Sequence, residues 1–230
     1  MVIKGLLATW AHHVNYSYCT TKSNDAHHTL YDTRDGNSYV VRKLADGNCW
    51  MVENLRAVNK KLVAAQSDNL TSDFTIPASS LVNYSNGNSA AYAYTDPIAG
   101  AGVLYSYYAA IGGSSLVSGT ASGSICPKGW ELPRANGDKS LQQLVVTTYG
   151  GGSNVNIMRA SPISIPASGM VVSGVYSTTG GWGNNYSIHY TAQYTSATYA
   201  YVFIGSSGRV DPAYNHPIYH IGFSVRCVAK

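Results

Sequence analysis

Apolar and polar residues alternate most clearly between residues 31 and 55, where two Asp-Gly pairs interrupt the pattern. The pairs are Asp35-Gly36 and Asp46-Gly47, and the residues around them alternate as the two sides of a strand do. Asp-Gly favours the tight turns that connect antiparallel strands, because such turns need the positive φ angles that glycine adopts easily. The pattern therefore predicts a β-hairpin.

A second alternating stretch, residues 199–204, predicts a strand near the carboxyl end. We expect its aliphatic residues to face the core and its aromatic residues to face outward. The aliphatic set is Ala200, Val202 and Ile204, and the aromatic set is Tyr199, Tyr201 and Phe203.

Residues 205–208 then predict a turn, and Asp211-Pro212 predicts the start of a loop. We expect this loop to hold three residues toward solvent, namely Tyr214, Asn215 and His216. Residues 221–228 end the chain as a predicted half-buried strand with one apolar face, formed by Phe223, Val225 and Cys227.

Helical patterns are few. Residues 140–149 are the best helix candidate, with a stop at the glycines 150–152, and residues 103–111 are a shorter one. Residues 57–100 lack a sustained period and predict a long loop insertion. Beyond residue 152 the pattern predicts only turns and short strands.

Composition narrows the class of protein. Hydrophobic residues make up 45% of the 230 residues and charged residues 11%, with 23 Gly and 19 Tyr but only 3 Phe. This composition excludes helix bundles and favours a collapsed core over disorder. The net charge of +4 comes from scattered basic residues, so we expect no nucleic-acid partner. The sequence contains no stretch of 18 apolar residues, so it predicts no membrane span.

Four cysteines are present, and none forms a Cys-x-x-Cys pair, which argues against zinc-ribbon and thioredoxin sites. They are Cys19, Cys49, Cys126 and Cys227. Two disulfides and an oxidising compartment are the simpler interpretation, and four buried thiols are the alternative.

Several short blocks resemble the Fibrobacter succinogenes major paralogous domain family, in the same order along the chain. They are Asp35-Gly-Asn-Ser-Tyr39, Asn48-Cys-Trp-Met-Val-Glu-Asn-Leu55, Gly102-Val-Leu-Tyr-Ser-Tyr-Tyr-Ala-Ala110, Cys126-Pro-Lys-Gly-Trp-Glu-Leu-Pro133 and Gly222-Phe-Ser-Val-Arg-Cys227. The resemblance covers about residues 30–228. The sequence departs from the family pattern near His189-Tyr-Thr-Ala-Gln193.

This resemblance implies an α+β, C-type-lectin-like fold with short irregular strands, one or two helices and long loops. It also implies an extracellular or cell-surface location. We expect an irregular amino-terminal segment, residues 1–29, tied by a disulfide to a single domain, residues 30–230. The expected pairs are Cys126 with Cys227 and Cys19 with Cys49.

Members of the family with a Gly-Phe-Ser-Val-Arg-Cys ending include variable proteins of diversity-generating retroelements, in which adenine-directed mutagenesis rewrites surface positions. Residues 184–220 have the composition of a binding surface, rich in Tyr, His and Asn. The predicted ligand-binding residues are Tyr186, His189, Tyr190, Gln193, Tyr199, Tyr201, Tyr214, Asn215, His216 and Tyr219. The alternative is an ordinary tyrosine-rich sheet face.

Catalytic motifs are missing from the sequence. It has no Gly-x-Ser-x-Gly, no His-Glu-x-x-His and no phosphate-binding loop. The carboxylate pairs Asp32 with Asp35 and Asp46 with Glu53 lie where aspartate is an expected turn residue. The His12-His13 and His27-His28 doublets are more typical of exposed polar residues than of a metal site. We expect no enzymatic activity, cofactor or metal.

The leading hypothesis is therefore a non-enzymatic, monomeric, surface-displayed recognition protein, the variable protein of a diversity-generating retroelement, with an unidentified protein or glycan ligand. The alternative is a fixed structural or polysaccharide-adhesion protein of the bacterial cell envelope. A near-identical template repeat that differs from the coding copy only at adenines would distinguish the two.

Overall fold

A computed structural model describes residues 21–32, 34–58, 60–64, 70, 72–76, 93–95, 102–114, 119–172, 175–177, 179–180, 183–184, 187–196, 198–206, 209–218 and 221–230. These residues form a mixed α+β structure, mostly sheet with few helices. The strands are β1 His27–Tyr31, β2 Ser38–Lys43, β3 Cys49–Met51, β4 Lys60–Leu62, β5 Phe74–Ile76, β6 Ala93–Thr95, β7 Val103–Tyr105, β8 Gly119–Thr120, β9 Trp130–Glu131, β10 Met170–Val172, β11 Val175–Ser177, β12 Thr179–Gly180, β13 Gly183–Asn184, β14 Ser187–Ser196, β15 Tyr199–Ser206, β16 Arg209–Pro217, β17 Ile221–Ser224 and β18 Val228–Ala229. The helices are α1 Tyr107–Ala110, α2 Gln142–Thr148 and α3 Val155–Arg159.

The two Asp-Gly pairs form turns in a five-stranded sheet of order β1-β2-β3-β18-β9. Gly36 and Gly47 both have positive φ, and β1, β2 and β3 pair antiparallel in sequence. The predicted hairpin is thus confirmed and extended to three strands. Because β1 begins at His27, the predicted domain boundary after residue 29 falls inside a strand.

A second sheet contains nine strands, with β14, β15 and β16 at one end of its main path β11-β10-β17-β14-β15-β16. The three end strands contain ten, eight and nine residues and pair antiparallel. The expectation of only short strands beyond residue 152 is therefore wrong. Within the segment predicted to be a loop, β4 pairs with β5, and β6 joins this sheet through β7.

The predicted helix at residues 140–149 is present as α2, a π-helix. The Ser140 hydroxyl accepts a hydrogen bond from the Gln143 backbone N–H at 2.9 Å and so caps its first turn. At the carboxyl-terminal end of α2, the Tyr149 backbone N–H donates a hydrogen bond to the Leu144 carbonyl, five residues earlier. The other candidate, residues 103–111, divides into strand β7 and helix α1.

Two apolar cores lie against the sheets. The larger core contains the buried side chain of Trp130, and the smaller one contains Trp50 and helices α2 and α3. From the sequence we expect Trp50, Trp130 and Trp182 in the core or at its rim. Trp50 and Trp130 are fully buried, which confirms this for these two, whereas Trp182 lies outside the described residues.

The carboxyl-terminal segment is buried along its whole length from Ile221 to Ala229, not on one face alone. Cys227 in this segment forms a disulfide with Cys126, as expected. Nearby, the Arg34 guanidinium bonds the Asp32 carboxylate at 2.7 Å and donates to the backbone carbonyl of Cys126. The first hairpin and the carboxyl-terminal segment are therefore both attached to the chain at Cys126.

Helices among the described residues are all too short or too polar to span a membrane.

Candidate functional site

The outer side of β15 presents two tyrosines at the amino-terminal end of the strand, with hydroxyl and amide side chains beside them. Tyr199 is 36% exposed and Tyr201 is partly exposed. Ser196 lies opposite Tyr199, and Asn215 lies opposite Tyr201, so the register places both on this outer side. We call this surface the tyrosine face, and it comprises Thr195, Ser196, Tyr199, Tyr201 and Asn215.

A hydrogen bond orders the polar part of the tyrosine face. The Thr195 hydroxyl donates to Asn215 Oδ1 at 2.9 Å, although β15 lies between their strands. The bond can cross β15 because Ala200, between the two tyrosines, directs its side chain into the core. No member of the face is charged, so the face offers aromatic area and neutral hydrogen-bonding groups, as antibody paratopes do.

The opposite end of the same sheet side is covered. Phe203, which was expected to face outward, is fully buried in the smaller core with Met158 of α3. At Gly205 a Cβ atom would lie 2.3 Å from the Met158 sulfur, so the helix packs directly on the strand. Thus the alternation places Tyr199, Tyr201 and Phe203 on one side, but α3 covers only Phe203.

Two predicted ligand-binding residues, His189 and Tyr190, are fully buried. Tyr190 packs against Tyr107 and Phe223, and its hydroxyl donates to the Ile221 carbonyl at 3.0 Å. Because adjacent strand residues point to opposite sides, this burial shows that β14 has cover on both sides here. Neither residue belongs to an exposed surface, and that part of the prediction is wrong.

Tyr214, Asn215 and His216 lie in strand β16, not in a loop. Asn215 is exposed, whereas Tyr214 and His216 point to the core side of the sheet and are partly buried. The His216 ring packs on Phe223 at 5.2 Å between ring centroids. The structure therefore divides the three residues between two sides of the sheet.

The remaining predicted site residues differ in environment. Gln193 is partly buried, and its Oε1 accepts a hydrogen bond from the Ala135 backbone N–H at 2.8 Å. This bond gives Gln193 a structural role. Tyr186 and Tyr219 lie outside the described residues. Thr195 and Ser196 belong to the tyrosine face but are not among the predicted site residues, which are aromatic, histidine and amide side chains. Their closeness to Tyr199 in the sequence is the signal that indicates them.

His189 belongs to a buried polar network with Asn54 and Arg226. Asn54 Oδ1 accepts from His189 Nε2 at 2.9 Å and from Arg226 Nε at 3.3 Å. The Arg226 guanidinium also donates to the backbone carbonyls of Ile163 and Ser164. Burial, with the nearby Arg226 charge, holds the pKa of His189 well below its usual 6.5. Burial lowers the pKa of Arg226 to about 9, so this side chain remains protonated at neutral pH.

This network predicts that the protein loses stability in acid. The unfolded chain protonates His189 near pH 6.5, whereas the folded chain keeps it neutral, so stability falls as pH drops below 6.5. The loss is about 1.4 kcal/mol per pH unit while His189 stays neutral in the fold. Urea unfolding at pH 7.5 and pH 5 measures it.

His189→Gln is the matched variant, because a glutamine amide can replace Nε2 as the donor to Asn54. We expect it to have a flatter dependence of unfolding free energy on pH than the parent. His216→Asn is the control for a second histidine whose pKa is lowered by burial. An unchanged pH dependence in His189→Gln would contradict the assignment to His189.

The four carboxylates considered for acid-base chemistry have structural partners. Asp32 pairs with Arg34, and Asp35 accepts from the Asn37 backbone N–H and side chain. Asp46 accepts from Asn48 and from Trp50 Nε1, while Glu53 bonds Arg56 and the backbone N–H of Val40. These contacts are those of turn and strand ends, as the sequence indicated.

Cys126 and Cys227 are bonded to each other, and Cys49 is also disulfide-bonded. Cys19, the expected partner of Cys49, lies outside the described residues. In the described part of the chain, no group of three or more His, Cys, Asp or Glu residues is placed to hold a metal ion.

No protein-family model matches the chain, and comparisons with curated proteins and with solved structures also give no match.

Proposed function

We propose that this protein is a non-enzymatic recognition domain that binds a macromolecular ligand through the tyrosine face. The observation that carries the proposal is the uncharged cluster formed by Tyr199, Tyr201 and their hydroxyl and amide neighbours. Two rigid aromatic side chains on a regular strand supply contact area at small entropic cost, and the side chains around them supply hydrogen bonds that adapt to a partner.

The sequence resemblance supports a more specific form of this proposal. The blocks that resemble the Fibrobacter succinogenes major paralogous domain family lie mostly in the interior, whereas the tyrosine face lies between the last two blocks in sequence. We propose a C-type-lectin-like domain displayed at the cell surface, in which the tyrosine face varies and the core does not. This is the arrangement expected of the variable protein of a diversity-generating retroelement.

A comparison of nucleotide sequences tests this specific form. A template repeat beside a reverse-transcriptase gene, with differences from the coding copy confined to adenines, would support it. Those adenines should fall in codons of the tyrosine face and not in codons of Tyr190, Val202 or Phe223, which are buried. Differences spread over core codons would contradict a fold that separates surface variation from core.

Binding is tested with an array that displays bacterial surface polysaccharides and a library of folded protein domains. The double variant Tyr199→Ala/Tyr201→Ala should bind the array component selected by the parent at least about thirtyfold more weakly, the loss expected of two hot-spot residues. Tyr31→Ala is the matched control, because Tyr31 is 44% exposed on β1, in the other sheet.

Salt and pH refine the same measurement. Because the tyrosine face is uncharged, affinity should change little between low and moderate salt. No histidine belongs to the tyrosine face, and the buried His189 and the partly buried His216 lie elsewhere. The affinity for the ligand should therefore also change little between pH 7.5 and pH 6. Equal loss in Tyr31→Ala and the double variant, or no loss in either, would favour a fixed structural or adhesion role for the protein.

A further inference from the structure

A small cleft lies at the edge of β14 that faces away from β15. Tyr194 pairs with Ala200 of β15 on one edge and with Gly119 of β8 on the other, and the cleft is on the β8 side. It has a volume of ≈ 90 Å³ and is lined by residues 120–124, Glu131, Leu132, Arg134, Ala192 and Lys230. The cleft is thus separate from the tyrosine face.

The walls of the cleft are fixed to one another by backbone hydrogen bonds. The Ala121 N–H donates to the Ala192 carbonyl at 2.7 Å, and the Ala192 N–H donates to the Pro133 carbonyl at 2.8 Å. The Lys230 N–H donates to the Gly129 carbonyl at 2.9 Å. These bonds hold the cleft open before any ligand enters, which lowers the entropic cost of binding.

The charges around the cleft favour an anion. Its two basic residues, Arg134 and Lys230, are exposed, and its one acidic residue is Glu131. The Glu131 carboxylate lies 3.7 Å from the Lys139 ammonium, which offsets its charge. Among the described residues, no carboxylate pairs with the Arg134 guanidinium. The cleft is therefore net positive, with an arginine fork available for an oxyanion.

The size and polarity of the cleft limit the ligand further. A volume of ≈ 90 Å³ has room for a few water molecules, so it accepts one carboxylate or phosphate group but not a whole sugar or nucleotide. Hydroxyl donors line the same wall, from Thr120, Ser122 and Ser124. We propose that this cleft is an anion-binding site for a single carboxylate or phosphate group, bound by the Arg134 guanidinium.

Titration with inorganic phosphate tests the site directly. Backbone amide shifts of the ¹⁵N-labelled protein are recorded at constant ionic strength while sodium phosphate replaces sodium chloride. We expect saturable shifts confined to the amides of residues 120–124, 131, 132, 134 and 230. A parallel titration with sodium acetate distinguishes a phosphate ligand from a carboxylate ligand. The anion with the lower dissociation constant is the one that fits the cleft better.

Arg134→Gln should weaken phosphate or acetate binding about five- to tenfold, because a charge-assisted bond is lost at a partly solvated site. Lys128→Gln is the matched control, since Lys128 is exposed on the neighbouring turn but does not line the cleft. Tyr199→Ala should leave the titration unchanged, so the anion-site proposal and the proposed function of the tyrosine face are tested independently. Shifts that do not saturate with either anion, or equal affinities in Arg134→Gln and Lys128→Gln, would overturn the proposal.

Discussion

Replacing both cysteines of the Cys126–Cys227 disulfide by alanine should lower the free energy of unfolding by about 4 to 5 kcal/mol. The disulfide closes a loop across a sequence separation of 101 residues. In the chain-entropy model, opening a loop of this length gives the unfolded chain much more freedom, and the native state becomes less stable by comparison. A loss of this size is a large part of the stability of an ordinary domain.

The native structure should survive this change while its stability falls. Other contacts hold the two segments in place: Arg34 donates to the carbonyls of Ile125 and Cys126, and the Met51 backbone N–H donates to the Cys227 carbonyl. We therefore expect native-like circular dichroism at low temperature together with a large drop in the urea midpoint.

The double alanine variant is preferable to a reducing agent, because reduction would also open the disulfide of Cys49. The slope of unfolding free energy against urea should be compared with that of the parent, since a more expanded unfolded state raises it. A stability loss below about 1 kcal/mol would contradict the loop-closure argument.

Local structure was predictable where a short sequence carries its own geometry. The Asp35-Gly36 and Asp46-Gly47 turns formed as expected, because the positive φ of each glycine is a local requirement that distant residues do not alter. Ser140 and the glycines from residue 150 likewise bracket α2. The side preference of Ala200, Val202 and Ile204 also followed directly from strand alternation.

Burial was less predictable, because it depends on what packs against each side of a strand. Alternation separates Tyr190 from His189, but only the fold shows that one lies among aromatic rings while the other bonds Asn54, far away in sequence. A polar or aromatic residue in a strand fits a surface and a hydrogen-bonded interior equally well. The composition of residues 184–220 therefore overstated the exposed surface.

The loop predicted to start at Asp211-Pro212 is a strand for a related reason. Proline usually marks a turn or the end of a strand, and here it lies within β16. That strand ends the main path of its sheet, where a missing N–H is tolerated because it need not pair with a further strand. A register irregularity between Val202 and Ile204 of β15 accommodates the same region. The edge position that makes this possible is a property of the whole sheet.

Tyr190→Ala should destabilise the fold by about 3 to 5 kcal/mol, the cost of truncating a large buried aromatic side chain. Tyr190 is fully buried, and its ring centroid lies 5.1 Å from that of Tyr107 and 5.0 Å from that of Phe223. Alanine would leave a cavity between these rings and remove the hydroxyl donor to the Ile221 carbonyl. Urea unfolding at neutral pH measures the change.

Two tyrosine variants separate the contributions. Tyr190→Phe keeps the ring and loses only the hydrogen bond, so we expect a cost of about 1 to 2 kcal/mol, including the carbonyl left unsatisfied. Tyr199→Ala, on the exposed side of the neighbouring strand, should stay within about 0.5 kcal/mol of the parent. The three values should therefore rank Tyr190→Ala, Tyr190→Phe and Tyr199→Ala in decreasing cost. Equal small losses in Tyr190→Ala and Tyr199→Ala would contradict the burial of Tyr190 in the core.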